Sequence, residues 1–462
     1  MTRAGKTQRF HPVFALRYVK YGLVACLIPM AQALLSWDLD ALFIALWQDL
    51  YILIAFTAAA AVLWYTTSFT VEDEAVRIRQ GVFVKKQYLF RTQSIAVLEI
   101  TRPFFYRIVG ASRLTMYFKQ QAVPRKFSLY LPKKAAQKTA DMLMPVHTDS
   151  SVFSPMGYER IAFIMLSANI VTAVFFISMT LKHASDILGT DIKEVAQTNF
   201  AYIISFLQKF LPMGLAAVMG TAFVLLSLTF LYSFVHTTGF RVCRNGGVII
   251  MRGGLLSKTE RRIYVQSISA CNMRVTPAAR LLRRVPVYIS AGSFSGGDMP
   301  LMAVKHGSEA MLEALLPMYE APKKALCEPK RKSIASYLWK PGTIFALSLM
   351  LLGAAMANMP SMLPVICVPA LLSGACMAVS YEGYLREGVC KNENRTLSLV
   401  YTRFFTRHEV CIFTPDTSYT IREHPFAISG GWCDFYVSMP GSITLRARCV
   451  ARYVADRVPF LI

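Results

Sequence analysis

Six stretches of the chain are apolar almost without interruption, and between them the pattern changes to short alternating runs. The apolar stretches run approximately over Tyr21–Trp37, Leu46–Tyr65, Ile161–Leu181, Leu211–Val235, Gly342–Asn358 and Met362–Ser380. A helix that crosses a bilayer needs about 20 mainly apolar residues. The pattern therefore predicts six spanning helices in three pairs. Only Met359, Pro360 and Ser361 separate the last two, which predicts a tight hairpin. The first stretch contains Pro29 and Gln32, and Ala31-Gln32-Ala33 has the form of a signal-peptide cleavage site. Its basic lead is long for a signal peptide and the apolar run continues through Leu34 and Leu35, so a retained helix is expected.

The segments after each pair read as β structure. Residues alternate at Val76 and Ile78, at Leu114, Met116 and Phe118, and at Phe127, Leu129 and Leu131. They do so again at Val285, Val287 and Ile289, at Phe435, Val437 and Met439, and at Ile443, Leu445 and Ala447. Each segment closes on a helical stripe: Met311, Leu312, Leu315 and Leu316 share one face, as do Val450, Ala451, Val454, Ala455 and Val458. Short strands followed by one helix predict a small sandwich or barrel plugged by that helix.

The segments also repeat. Arg79-Gln80-Gly81 is followed by Thr92-Gln93-Ser94-Ile95, and Arg252-Gly253-Gly254 by Val265-Gln266-Ser267-Ile268. Arg107-Ile108-Val109-Gly110 lies opposite Arg280-Leu281-Leu282-Arg283. In a third, worn copy Thr414-Pro415-Asp416 takes the place of Thr92-Gln93-Ser94, and His424-Pro425 that of Arg102-Pro103. The expected organisation is a first hairpin in 1–65, a domain in 66–150, a second hairpin in 151–235, a domain in 236–322, a basic linker in 323–341, a third hairpin in 342–380 and a diverged domain in 381–462.

Composition adds sidedness. The 462 residues are 54% hydrophobic yet carry a formal charge of +23. Residues 1–20 hold Arg3, Lys6, Arg9, Arg17 and Lys20 without an acid, whereas the loop after the first apolar stretch holds Asp38, Asp40 and Asp49 without a base. The loop of the second hairpin is neutral and that of the third uncharged. The basic excess then falls on the inner side, which predicts both termini and all three β domains in the cytoplasm at the cell membrane. The ten cysteines form no CxxC pair and no metal-ligand spacing with histidine, so reduced core thiols are expected.

A helix pair, Arg-x-Gly, a Gln-Ser-Ile element, an Arg-Leu-Leu-like segment, alternating strands and a closing helix resemble the bacterial pleckstrin-homology-like family. These are membrane-flanked domains formerly classed as of unknown function. The resemblance spans the chain as three successive units, poorest in the third, which lacks Arg-x-Gly and Gln-Ser-Ile. It implies a pleckstrin-homology-like β-sandwich or barrel with a C-terminal capping helix in each copy, and no catalytic activity.

A search for chemistry agrees with that implication. No P-loop, Rossmann fingerprint, His-Glu-x-x-His or Gly-x-Ser-x-Gly is present, and no cofactor is expected. The middles of the apolar stretches hold no ionisable residue, which disfavours independent ion-coupled transport. Basic residues are the remaining candidates: Lys85, Lys86 and Arg91 in copy one, Arg280, Arg283 and Arg284 in copy two, and the run Lys323, Lys324, Lys330, Arg331 and Lys332. The expected partners are the bilayer, anionic lipid headgroups, other membrane proteins or a second copy of the chain. Nucleic acid is not expected, since no recognised binding module accompanies the charge. The function expected is a non-enzymatic scaffold of the cell envelope. The alternative is a component of a transport, export or toxic-compound resistance system.

Overall fold

In a computed structural model of the chain, the helices ending at Thr66, Thr237 and Arg386 each lead directly into a β domain. Residues 8–457 are described apart from 37–38, 73–74, 83, 120–125, 147–150, 168–200, 211–212, 297–298, 306–309, 320–333, 359–362, 392–395, 404, 414–416, 424 and 440–442. Copy one begins with strand β1 (Gln8–Arg9), helices α1 (Val13–Ser36) and α2 (Leu39–Thr66), and strands β2 (Ser68–Val71), β3 (Ala75–Gln80) and β4 (Lys86–Arg91). It continues with β5 (Ile95–Arg102), the short helix α3 (Phe104–Ile108), β6 (Ala111–Phe118), β7 (Lys126–Pro132) and the capping helix α4 (Lys133–Leu143). Copy two repeats this plan as β8 (Ser151–Phe153), α5 (Tyr158–Leu166), α6 (Met213–Thr237), β9 (Arg241–Asn245), β10 (Val248–Gly253), β11 (Lys258–Tyr264), β12 (Ile268–Val275), α7 (Pro277–Leu281), β13 (Arg284–Ala291), β14 (Met302–Lys305) and α8 (Ala310–Leu315). Copy three comprises α9 (Ile334–Asn358), α10 (Leu363–Arg386), β15 (Gly388–Lys391), β16 (Leu397–Arg403), β17 (Thr406–Ile412), β18 (Ser418–Arg422), α11 (Pro425–Gly430), β19 (Trp432–Met439), β20 (Ile443–Ala451) and α12 (Arg452–Arg457).

The motifs have local physical reasons. Gly81 and Gly254 take φ values of 125° and 100°, which an L side chain rarely adopts. At Gly81 a Cβ would also stand 2.0 Å from the carbonyl oxygen of Val84. Thr92–Ser94 and Val265–Ser267 each form a single 3₁₀ turn between two strands: Ser94 Oγ donates to the Arg91 carbonyl at 2.6 Å, and Ser267 Oγ to the Tyr264 carbonyl at 2.7 Å. The following Ile95 and Ile268 are buried.

Among the described residues, three helical stretches are long and apolar enough to cross a membrane: Phe43–Thr66, Met219–Thr237 and Tyr337–Ala357. Each buries little of itself within the protein, so lipid is the natural cover for its apolar side chains. Much of the expected third span lies outside the described residues, as does the basic run at 323–332. The capping helices differ from expectation in detail. Met311 is half exposed while Leu312, Leu315 and Leu316 are buried. In copy three Val450 and Ala451 belong to β20, so the helix is shorter than its apolar stripe suggests.

The chain forms two compact units. The first holds copy one together with Arg244–Arg252 and Leu256–Ser267 of copy two; the second holds Ser151–Cys243, Gly253–Leu255 and everything from Ile268 onward. In the first unit β1 pairs with β2, placing Phe10 and Phe14 in the core of copy one beside Phe69. In the second unit β8 pairs with β9, and Phe153, Phe163 and Phe240 cluster in the same way. The strand before each of these helix pairs thus joins the sheet that follows the pair.

Successive copies share sheets. In the first unit β5 pairs antiparallel with β11, from Val97↔Ile263 to Arg102↔Lys258, within the order β7-β6-β5-β11-β10. In the second unit β12 pairs with β17, from Ala270↔Ile412 to Val275↔Arg407, within β14-β13-β12-β17-β16-β15. The two registers are the same. Val97 and Ala270 each stand two residues after the isoleucine of Gln-Ser-Ile. Ile263 stands two residues before Val265-Gln266-Ser267, and Ile412 two before Thr414-Pro415-Asp416.

The first junction is polar as well as apolar. Arg261 binds Glu99, its direct partner across the strands, at 2.8 Å, and the Tyr117 hydroxyl donates to the same carboxylate at 3.0 Å. Arg262 is almost wholly buried: Nη1 reaches Asp141 at 2.7 Å and the Met144 carbonyl at 2.8 Å, while Nη2 reaches Glu260 at 2.8 Å. In the second junction His408 stacks on Tyr401 with ring centroids 4.7 Å apart, and its Nδ1 lies 3.3 Å from Asn272 Oδ1. Burial, then the Arg274 and Arg403 guanidinium groups, depress its pKa from 6.5 to about 4. An unfolded chain protonates this imidazole below pH 6.5 but the folded one does so only near pH 4. Stability at the second junction should therefore hold above pH 6.5, fall by about 1.4 kcal/mol per unit, and level off below pH 4. Hydrogen-exchange protection of β12 and β17 between pH 7 and 4 should show this slope, and His408→Gln should flatten it.

Candidate functional site

The turn between β12 and β13, and its equivalents in the other copies, is where the copies diverge in chemistry. In copy two Thr276 caps α7, its Oγ1 accepting from the Ala279 N–H at 3.1 Å, with Pro277 at the first helical position. This short helix presents Arg280 beside Leu281, which is 83% exposed. Arg283 follows with φ 51°, a left-handed conformation for a residue that carries a Cβ. Copy one has Gly110 at that place with φ 70°, and copy three has Gly431 with φ 66°. The left-handed region costs an ordinary L-residue about 1–2 kcal/mol. Copy two thus holds an arginine where the equivalent turns use glycine, and sites that keep such strain are commonly functional.

Arg283 lines a cleft of about 380 Å³. Its other charged walls come from Arg280 on α7, Lys305 on β14, Glu382 and Arg386 in the last turns of α10, and Arg407 on β17. Val275, Ala279 and Val285 complete the lining, all buried. Five cations thus surround one carboxylate. Glu382 accepts from Arg280 and, at 3.0 Å, from Arg407, and Arg386 lies 3.6 Å from it. Arg407 also binds Glu409 at 2.7 Å. Guanidinium groups present several fixed N–H donors, which suits a phosphate or carboxylate better than a neutral ligand.

The structure brings only two of the six sequence candidates together here, Arg280 and Arg283. Arg284 turns instead to Glu159 on α5. Lys85, Lys86 and Arg91 lie in the other unit, exposed along and beside β4. Lys305, Arg386 and Arg407 escaped sequence reasoning because they lie on three elements distant along the chain. The pairing of Val275 with Arg407 across the second junction is what brings Arg407 beside α7. Copy one offers a different surface at its equivalent turn: Phe104, Phe105, Ile108 and Val109 are all more than half exposed. Among the described residues no three histidine, cysteine or acidic side chains converge as metal ligands would.

Comparison with known proteins gives one match. The family model described as bacterial PH domain matches residues 17–145 and 199–317, together more than half of the chain. No curated protein and no solved structure matches. The matched stretches each contain helical segments and most of the domain that follows them. Copy three lies beyond both, though its strands, short turn helix and closing helix follow the same order. PH domains are interaction modules, and here they accompany apolar helices able to enter a membrane. The chain is membrane-associated and belongs to the bacterial PH domain family.

Proposed function

We propose that this protein is a non-enzymatic scaffold of the cell membrane that crosses the bilayer with six helices in three pairs. Its three PH-like domains, with divisions near 66–150, 236–322 and 381–462, stand at the cytoplasmic face. The cleft around Arg283 binds an anionic lipid headgroup. The observation that carries this reading is the arginine held at φ 51° where the sister turns have glycine. Two features support it further. Arg386 lies at the last residue of α10, a helix proposed to span the bilayer, which would put the cleft at headgroup depth. The exposed Leu281 beside Arg280 is also suited to the interface between headgroups and acyl chains.

Each cation near an anionic surface contributes about 1 kcal/mol. Arg283→Gly should therefore weaken retention of phosphatidylglycerol about 5-fold, and Arg280→Gln, Arg283→Gln and Lys305→Gln together about 100-fold. The measurement is native mass spectrometry of the detergent-solubilised full chain with added phosphatidylglycerol, with phosphatidylcholine as the uncharged comparison. Arg283→Gly relieves backbone strain, so the fold should be unchanged or up to about 1 kcal/mol more stable. Equal phosphatidylglycerol retention by the triple variant would sink the headgroup reading and leave the cleft to an acidic protein partner.

A further inference from the structure

Both internal junctions join the first strand of one copy's second sheet to the last strand of the next copy's first sheet, β5 to β11 and β12 to β17. The same two kinds of strand remain at the ends of the series. β4 is the counterpart of β11 and β17, and it ends the sheet order β1-β2-β3-β4. β18 is the counterpart of β5 and β12, and it ends the order β18-β19-β20. Exposure follows the pairing. Seven of the eight residues of β5 are buried, whereas Lys86, Gln87, Leu89 and Arg91 of β4 and Ser418, Thr420 and Arg422 of β18 are exposed.

We propose that β4 of one chain pairs with β18 of a second copy, repeating the internal junction between molecules. The shared register sets Phe90 opposite Tyr419, Tyr88 opposite Ile421, Leu89 opposite Thr420, and Lys86 opposite Glu423. Each match is chemically coherent. Directly opposed residues in an antiparallel pair point to the same face. Tyr88 and Phe90 face the core of copy one while Tyr419 and Ile421 pack on that of copy three, so pairing would join two apolar faces. Lys86 meets the carboxylate of Glu423, which otherwise binds Arg452 at 3.2 Å. A lysine that would shield an unpaired strand edge becomes complementary in this register. The contact joins different surfaces of the two molecules, so it is heterologous and can propagate head to tail. It does not depend on the cationic cleft around Arg283.

The test uses full-length protein in mild detergent. Chains carrying Leu89→Cys and differently tagged chains carrying Thr420→Cys are mixed and oxidised, with the unsubstituted protein setting the background from native thiols. The expected product is a disulfide-linked mixed pair, with neither variant linking to itself above background. Lys86→Glu should lower the yield about 5-fold, and Glu423→Lys on the opposing chain should restore it. Failure to form the mixed pair would overturn the proposal. So would self-linking by Leu89→Cys alone, or a double variant that links only within one chain, which would mean that the series closes on itself. A yield indifferent to Lys86→Glu would overturn the register.

Discussion

Arg262→Ala is expected to destabilise the first unit by about 3–5 kcal/mol, the range for breaking a buried ion pair by removing one partner. The side chain is 2% exposed and answers three groups at once: Glu260 on its own strand, Asp141 on the capping helix of copy one, and the Met144 carbonyl just beyond that helix. Its removal leaves Glu260 buried, although Arg252 still reaches that carboxylate at 3.1 Å, and it strips a partner from a helix-end carbonyl. Asp141 is half exposed and should lose little by itself. The effect should therefore appear as lost hydrogen-exchange protection in α4 and β11 together. Arg262→Met should be milder, because it keeps volume while removing the charge. A loss confined to β11 would show that the arginine does not tie the copies together.

Glu387→Ala is expected to cost a similar amount, about 3–5 kcal/mol, in copy three. Glu387 follows the last residue of α10 and is 1% exposed. Its carboxylate accepts from Arg448 on β20 at 2.9 and 3.2 Å and from the Thr402 N–H on β16 at 2.7 Å. One side chain thus fastens the end of an apolar helix to two strands of the domain after it. Glu387→Gln keeps an acceptor for Thr402 and should recover part of the loss, whereas Asp at this position would be too short for both partners. Limited proteolysis near residue 387, compared among the three proteins, reads the order directly. Equal resistance in Glu387→Ala would show that helix and domain are held by other contacts.

Much of this architecture is legible in the residues. Long apolar runs and two-residue alternation have strong periodic signatures, so the long apolar helices and most strands among the described residues follow from pattern alone. The Arg-x-Gly and Gln-Ser-Ile matches align the copies because each fixes a turn whose geometry few residues satisfy. Strands β1 and β8 were not legible. They are two and three residues long, too short to alternate, and they exist only because the sheet edge beside them accepts another strand. The cleft was half legible for a related reason. Arg280 and Arg283 stand out by interleaving with apolar residues, but Lys305, Arg386 and Arg407 join them only through tertiary placement. Adjacency along the chain also misleads: Arg284 follows Arg283 directly, yet a strand begins there and its side chain serves Glu159.

The strand pairing between copies also bears on synthesis. β5 emerges from the ribosome well before its partner β11, with roughly 150 residues and a helix pair in between. At translation rates of about 5–20 residues per second the interval is roughly 10–30 s. Throughout it, Ile95-Ala96-Val97-Leu98-Glu99-Ile100 waits without its eventual neighbour. Such a segment, rich in β-branched residues and nearly uncharged, is the kind that aggregates when left open. Newborn chains of this protein should therefore depend on chaperones or on rapid membrane insertion of the apolar helix Met219–Thr237, and a pause in translation before Lys258 should be more damaging than one after it.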